Sequence, residues 1–538
     1  MITILDGFVD EPSCLGVPPF ISPYARYIAG AIKDAGEDYE YITIEEWRGG
    51  RKIKGNILLI LAGAIVPGKY LRGMPISFKE FVEICSKFKG IKILGGACAK
   101  FGFGQGGGKK LLDGRKYVDF VAEGDIDAFI YDFINGEIAQ RKRKVNEWRR
   151  WCILGAEIVK QHPDFSHALI AEIETYRGCI RWFNGGCSFC IEPSFGRPLM
   201  RDEEDIIKEI RELRRLGVAH FRLGCQSCFF SYKAKGIGKS EVPMPNVDAI
   251  KRLLEGISKL NPAVLHIDNV NPAVVAEWEN ESSKIAELIV KYCTPGNTAA
   301  LGMESADKEV IRRNNLNSSP EQVMRAIEII NEIGAERGDN GMPLFLPGIN
   351  ILCGLRGENR RTYEINYRFL KKIFEKGYLL RRINIRQVVY LKGWREKIDK
   401  KVFLKFKRRT NEEINKPMLQ KILPRETILR DVYLEIHIGK KTYGRQIGSY
   451  PILVCLPYKT SLNKFVDVKI LKQFYRSVLA IEYPVNLNKA SFNVLKNIPN
   501  VGEKRAAFII RHRPYKNYKD IKKFMGELAD ELLKWIKI

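Results

Sequence analysis

The sequence predicts an α/β chain dominated by parallel sheets, with a small β-rich part and a helical end toward the C-terminus. Three observations carry this. Short apolar runs alternate with amphipathic helical stretches over 1–136 and again over 170–390, the pattern of strands joined through helices into parallel sheets. The 45% hydrophobic content of the 538 residues is ample for several cores, at roughly 150 residues per domain. After Tyr390 the pattern changes to runs rich in Val, Ile, Tyr and Leu broken by Gly and Pro, as in a small barrel or sandwich.

Taken in order, residues 1–138 read as a Rossmann-like sheet. Its strands are expected at Ile2–Leu5, Tyr41–Ile44, Ile57–Leu61, Ile91–Leu94 and Phe120–Ala122, with helices near 24–35, 78–88 and 128–134. A charged stretch opening with AQRKRKVNEWRRW makes 139–169 a linker. Residues 170–390 then supply six strands, at 170–176, 220–223, 264–267, 298–303, 344–353 and 382–388, and six βα units suit a partial (β/α)6 barrel. The clearest of the intervening helices starts at Ser319-Pro320, a cap followed by proline in the first turn. Residues 391–488 form the basic β-rich part and 489–538 the helical end.

Composition removes several classes. The longest apolar run, NILLILAGAIV at 56–66, is too short to cross a bilayer, and the N-terminus lacks the basic region of a signal peptide, so no membrane partner and a cytoplasmic location are expected. Twelve cysteines are too few for a disulfide scaffold; closely spaced ones read first as metal ligands. The net charge is +26, of which residues 391–538 carry +19, with 33 Lys and Arg against 14 Asp and Glu. A polyanion is the natural partner for that end, the alternative being a solvated charged face.

The cysteines that matter chemically are Cys179, Cys187 and Cys190 in RGCIRWFNGGCSFC, directly after a strand, spaced C-x7-C-x2-C. Three thiolates on one glycine-containing loop suit a 4Fe-4S cluster with one iron left open. Structural zinc remains the alternative, although no fourth ligand follows at zinc-finger spacing.

On these residues and three further motifs in sequence order, the chain resembles the radical S-adenosylmethionine (radical SAM) superfamily over roughly 171–389. The family spaces its cysteines C-x3-C-x2-C, so the second half is kept and the first gap lengthened, with Cys179 the departing ligand. The resemblance implies that Phe189 packs on the adenine of S-adenosylmethionine. It also implies that Gly224, Gln226 and Ser227 of FRLGCQS bind the methionine end, although the family's Gly-Gly-Glu is absent. Glu304 of LGMES, with Ser305 beside it, is implied at the ribose hydroxyls, and Ile351 and Leu352 of GINILCG at the adenine. The implied chemistry is reductive cleavage of S-adenosylmethionine to a 5'-deoxyadenosyl radical, fed by an electron donor.

Weaker signals are read beside these. The N-terminal sheet resembles the cobalamin-binding domain that often precedes such a barrel; residues 1–161 hold no histidine, so any bound cobalamin would lack a histidine axial ligand. Cys14, Cys85 and Cys98 could serve an auxiliary cluster as in methylthiotransferases. The run FGFGQGGGKK contains G-x-G-x-x-G without a Walker G-K-[ST] and reads as a flexible lobe. Cys225 and Cys228 form a second C-x-x-C without a partner motif. The six histidines read as structural, with His266 and Asp268 as candidate substrate contacts.

The basic end, LKNIPNVGEKRAAFII, resembles a helix-hairpin-helix. That likeness implies a turn at Val501-Gly502 aimed at phosphate, with Lys504, Arg505, Arg511 and Arg513 neutralising its neighbours. The β-rich part is distantly similar to the RNA-binding barrel of methylthiotransferases. Together these readings point to a radical SAM enzyme that modifies a nucleic acid, structured RNA such as tRNA before DNA. The alternatives are a radical SAM enzyme, with or without cobalamin, acting on a protein or small molecule, and a nucleic-acid-binding protein with a structural cluster.

Overall fold

The computed structural model describes residues 1–8, 20–63, 71–104, 107–165, 168–391 and 393–537; Cys14, His167 and Gln105-Gly106 of the glycine-rich run lie outside these. The described chain forms two compact units, one of 1–335, 345–407 and 448–450, the other of 336–344, 408–447 and 451–538. No helix among the described residues is long and apolar enough to cross a membrane.

In the first unit five parallel strands form the N-terminal sheet, ordered Tyr39–Thr43, Ile2–Asp6, Ile57–Leu61, Ile91–Gly95, Phe120–Val121. This is a doubly wound order in which the chain starts inside the sheet and adds strands on both sides. The helix Phe78–Lys87 starts where expected because Ser77 and Glu80 close a reciprocal capping box. The sheet's face is apolar, with Leu5, Ile60, Phe81 and Phe103 all buried.

Residues 139–169, expected to be a linker, instead contain the helix Val145–Leu154. Its charge hides an apolar stripe: Trp148, Trp151 and Cys152, spaced i, i+3, i+4, are buried. This helix packs on the helix Pro23–Asp34, from which the buried Arg26 donates to the Glu172 carbonyl at 2.6 Å and pairs with Glu209 at 2.7 Å.

All six barrel strands lie where the periodicity predicts: Ile170–Glu174, His220–Gly224, Val264–Ile267, Asn297–Glu304, Phe345–Cys353 and Arg382–Gln387. The first three pair in parallel, as do the last three, and a parallel bridge between Val270 and Leu301 joins the two sets. Phe20–Ile21 extends the sheet beyond the first strand. The glycine-rich run is docked where described: the Gly108 N–H donates to the Val388 carbonyl at 3.0 Å, and a Cβ on Gly107 would lie 2.4 Å from that of Gln387.

The barrel interior is lined by charge that is already paired. Buried Arg222 on the second strand reaches Glu172 at 2.6 Å and Asp268 at 3.9 Å. His266 and Asp268 are each held at one atom: His266 Nδ1 accepts the Ser449 N–H at 2.9 Å, and Asp268 Oδ1 accepts the Tyr450 hydroxyl at 2.6 Å, while the other oxygen of Asp268 is buried with no hydrogen bond among the described residues. Burial holds the His266 ring neutral, its pKa lowered to about 4.

In the second unit the strands Ile428–Ile438, Lys441–Gln446, Leu453–Leu456, Ser477–Glu482 and Phe465–Gln473 close into a small barrel, the form expected of that stretch. Four short helices follow, Phe492–Leu495, Gly502–Arg511, Tyr518–Met525 and Leu528–Leu533.

Candidate active site

The three cysteines sit on the loop that leaves the first barrel strand, at the C-terminal ends of the strands, where barrel enzymes assemble their sites. All three are partly exposed. Burial, together with Glu192 and the other two cysteines, pushes the Cys190 thiol well above its ordinary range. Burial raises the Cys179 thiol as well.

A neighbouring dipeptide staples this loop. Asn314 is fully buried and its carbonyl accepts the Ser188 N–H at 3.0 Å, while its side chain accepts the Ser188 hydroxyl at 2.8 Å and the Arg356 N–H at 3.1 Å. Asn315 follows with its amide donating to the Gly186 carbonyl at 2.9 Å. From the far side, Trp394 donates its indole N–H to the Ser188 carbonyl at 3.1 Å. None of these residues lies within 120 positions of the cysteine loop, which is why no local motif discloses them.

Of the residues expected at S-adenosylmethionine, four lie partly exposed or near the cysteine loop. Phe189 and Leu352 share one apolar cluster with Cys187, Leu355 and Trp394. Ser227 bonds Cys179 and lies 3.2 Å from the Tyr176 hydroxyl. Glu304 ends the fourth strand at a register shift, with φ of +57°, and burial alone pushes its carboxyl up to about 8. A bulge that turns a carboxyl off the sheet, in a sparsely populated conformation, is the kind of local cost that functional sites carry.

The others are spent within the protein. Gln226 is buried, accepting the Thr175 hydroxyl at 3.1 Å and donating to the Leu223 carbonyl at 3.0 Å, so it fixes its own loop. Ser305 is buried against Asn366 and caps Asp307. Ile351 alternates with Leu352 along the strand and is buried. Gly224 is required by close approach, since a Cβ there would lie 2.1 Å from the Glu172 carboxylate.

The other cysteine readings end in packing. Cys85 and Cys98 are buried in the core of the N-terminal sheet, Cys98 donating to the Gly63 carbonyl at 2.9 Å. Cys225 and Cys228 are buried too, and the Cys228 sulfur accepts the Asn271 N–H.

At the basic end the turn is present but differs in detail. The Val501 N–H bonds the Ile498 carbonyl at 3.1 Å and its side chain is buried, so Val501 offers nothing to a phosphate. Arg513 donates to the Leu487 and Ala490 carbonyls, a structural use. Arg505 reaches back to the Asn500 carbonyl. Lys504 and Arg511 are exposed on the helix that Gly502 opens.

The donor set fits an iron-sulfur cluster. Among the described residues no three His, Cys, Asp or Glu side chains converge as a single metal ion needs. A cluster spreads its thiolates over separate irons, and the three thiols are near enough to influence one another. Glu304, with no hydrogen-bond partner among the described residues, fits a ligand bearing hydroxyls. Of the N-terminal sheet, Ile76, Cys98 and Phe103 belong to the buried apolar core, and residues 9–19 and 64–70, which follow its first and third strands, lie outside the described residues.

An uncharacterized protein of Methanocaldococcus jannaschii is 47% identical over 503 residues, covering 88% of this chain and 92% of its own. One of Archaeoglobus fulgidus is 42% identical over 508 residues, covering 92% of each. Among solved structures, the radical S-adenosylmethionine methyltransferase TsrM of Kitasatospora setae, with cobalamin and a 4Fe-4S cluster bound, is 12% identical over 72% of this chain and 71% of its own, at a TM-score of 0.47. Residues 173–370, which span four of the six barrel strands in full, the end of the first and all three cysteines, match the Radical SAM superfamily. The chain belongs to that superfamily and is a radical SAM enzyme, of a family that uses a 4Fe-4S cluster, S-adenosylmethionine and an electron donor.

Proposed function

We propose that this radical SAM enzyme modifies a nucleic acid, structured RNA before DNA, and that Cys179, Cys187 and Cys190 hold its cluster. The observation that carries the substrate reading is the concentration of charge: residues 391–538 bear +19 of the net +26, and Lys504 and Arg511 stand exposed on the helix after the hairpin turn. A cationic surface of this size takes polyanions through counterion release, with phosphate contacts giving affinity and little base preference.

The residues of the barrel divide the work. When bound, the cluster supplies the electron that cleaves S-adenosylmethionine. Phe189 and Leu352 offer an apolar wall for an adenine, Glu304 an acceptor for ribose hydroxyls, and Ser227 a hydroxyl beside Cys179. Below them the ion pairs of Arg222, Glu172 and Asp268 line the interior, which favours a reacting carbon met at the barrel mouth. That suits a macromolecule presenting one nucleotide better than a small molecule engulfed whole.

Binding of a structured RNA to the full chain across a salt series tests the reading. Log affinity is expected to fall linearly with log salt, and the double variant Lys504→Ala/Arg511→Ala to lose slope by about 0.7 to 0.9 per phosphate contact removed. Salt-insensitive or absent binding to both RNA and DNA overturns it.

A further inference from the structure

The lengthened gap between the first two cluster cysteines holds Ile180 to Gly186, and its second residue is an arginine. Arg181 is 3% exposed, unusual for a residue on a loop at a barrel mouth. Its backbone N–H donates to the Cys179 sulfur at 3.4 Å, and its Nη1 donates to the Cys187 sulfur at 3.5 Å. The same guanidinium is fixed from two sides. Nη1 donates to the Asn315 carbonyl at 2.8 Å, Nη2 to the Asn315 side-chain oxygen at 3.0 Å, and Nε to Glu241 at 2.9 Å. Asn315 in turn bonds the far end of the gap through the Gly186 carbonyl at 2.9 Å and carries φ of +49°.

We propose that the lengthened, seven-residue gap exists to seat Arg181 against two cluster sulfurs, where its charge and hydrogen bonds raise the reduction potential of the bound 4Fe-4S cluster. The proposal rests on the assignment of Cys179 and Cys187 as cluster ligands. The physics is direct: one-electron reduction adds negative charge to the cluster, and a fixed buried cation with N–H donors on the sulfurs stabilises the reduced state more than the oxidised one. Asn315 and Glu241 act through Arg181 and are positioning residues. Glu241 also opposes the effect, because its carboxylate offsets part of the guanidinium charge; at 43% side-chain exposure that offset is weakened by solvent.

The test is a potentiometric titration of the anaerobically reconstituted full chain, followed by the electron paramagnetic resonance of the reduced cluster, with iron content measured on each sample. Arg181→Gln, which keeps a donor and loses the charge, is expected to shift the midpoint to more negative potential by at least a tenfold change in the reduction equilibrium, about 59 mV for a one-electron couple. Arg181→Lys should shift it less in the same direction, and Glu241→Gln should shift it the other way. If Arg181→Gln loses its iron, Glu241→Gln decides: a positive shift supports the role and an unchanged midpoint overturns it. An unchanged midpoint in Arg181→Gln with full iron also overturns it while leaving the cysteine assignment standing. Loss of that assignment would show separately, as a Cys179→Ala/Cys187→Ala/Cys190→Ala triple variant that keeps its iron.

Discussion

The N-terminal sheet and the barrel are built by the same rule, parallel strands joined by helices, yet their strand ends are finished in opposite ways. In the sheet, Ile76 closes over the end of the first strand, its N–H bonded to the Gly7 carbonyl at 2.9 Å, and Cys98 and Phe103 fill beside it. The polar group there, Asp6, has the Tyr41 hydroxyl and the Phe8 N–H at 2.8 Å each. In the barrel the corresponding ends carry three partly exposed thiols and Glu304, whose carboxyl has no hydrogen bond among the described residues. Satisfied polar groups and packed apolar ones make a scaffold; costs left uncompensated mark where a ligand is meant to compensate them.

The largest expected effect separates the two sets of cysteines. Replacing Cys179, Cys187 and Cys190 together with Ala should abolish iron binding and the absorbance near about 400 nm typical of such clusters. The double variant Cys85→Ala/Cys98→Ala should keep both. Iron and absorbance retained in the first, or lost in a folded sample of the second, would erase the distinction. Next in size is Ile76→Ala, a buried large-to-small change expected to cost about 2 to 5 kcal/mol of stability in urea titration. S-adenosylmethionine binding by the folded fraction should not change, because Ile76 belongs to the scaffold.

The parts of this contrast that a sequence discloses are the local ones. The six barrel strands follow from periodicity, and the cysteine loop from three thiols within twelve positions. What stays hidden is partnership across distance. Arg181 meets Asn315 from 134 residues away, and Gln226 has the polarity of a ligand-binding residue but spends it on Thr175 and Leu223. His266 and Asp268 are each bonded at one atom by Ser449 and Tyr450, some 180 positions on. The stretch 139–169 misleads differently: its arginines outnumber the three apolar residues that decide its helix, because charge averages over a window while burial depends on one face.

Glu304 gives the finest test of the contrast, because both its stability and its binding effects have a sign. Its carboxyl sits at about 8 instead of the usual 4.5, so the folded state holds that proton more tightly than the unfolded chain does. The linked stability is therefore fully present below about pH 4.5 and is lost as pH rises toward 8, where the desolvated carboxylate must ionise. Glu304→Gln removes that cost. The variant should match the parent near pH 4.5 and exceed it at pH 8.5 by on the order of 1 to 3 kcal/mol, a discount from 1.36 kcal/mol per pH unit because the side chain is only partly buried. Binding should move the opposite way: losing a charged acceptor for ribose hydroxyls weakens S-adenosylmethionine by roughly 1.5 to 3 kcal/mol, about ten- to a hundredfold. Thermal unfolding at the two pH values and calorimetric titration at the higher one read the two effects. A residue tuned for the fold would lose stability on substitution, and one tuned for a ligand gains it at the expense of binding. A variant that is destabilised at pH 8.5, or that binds S-adenosylmethionine as the parent does, would return Glu304 to the scaffold.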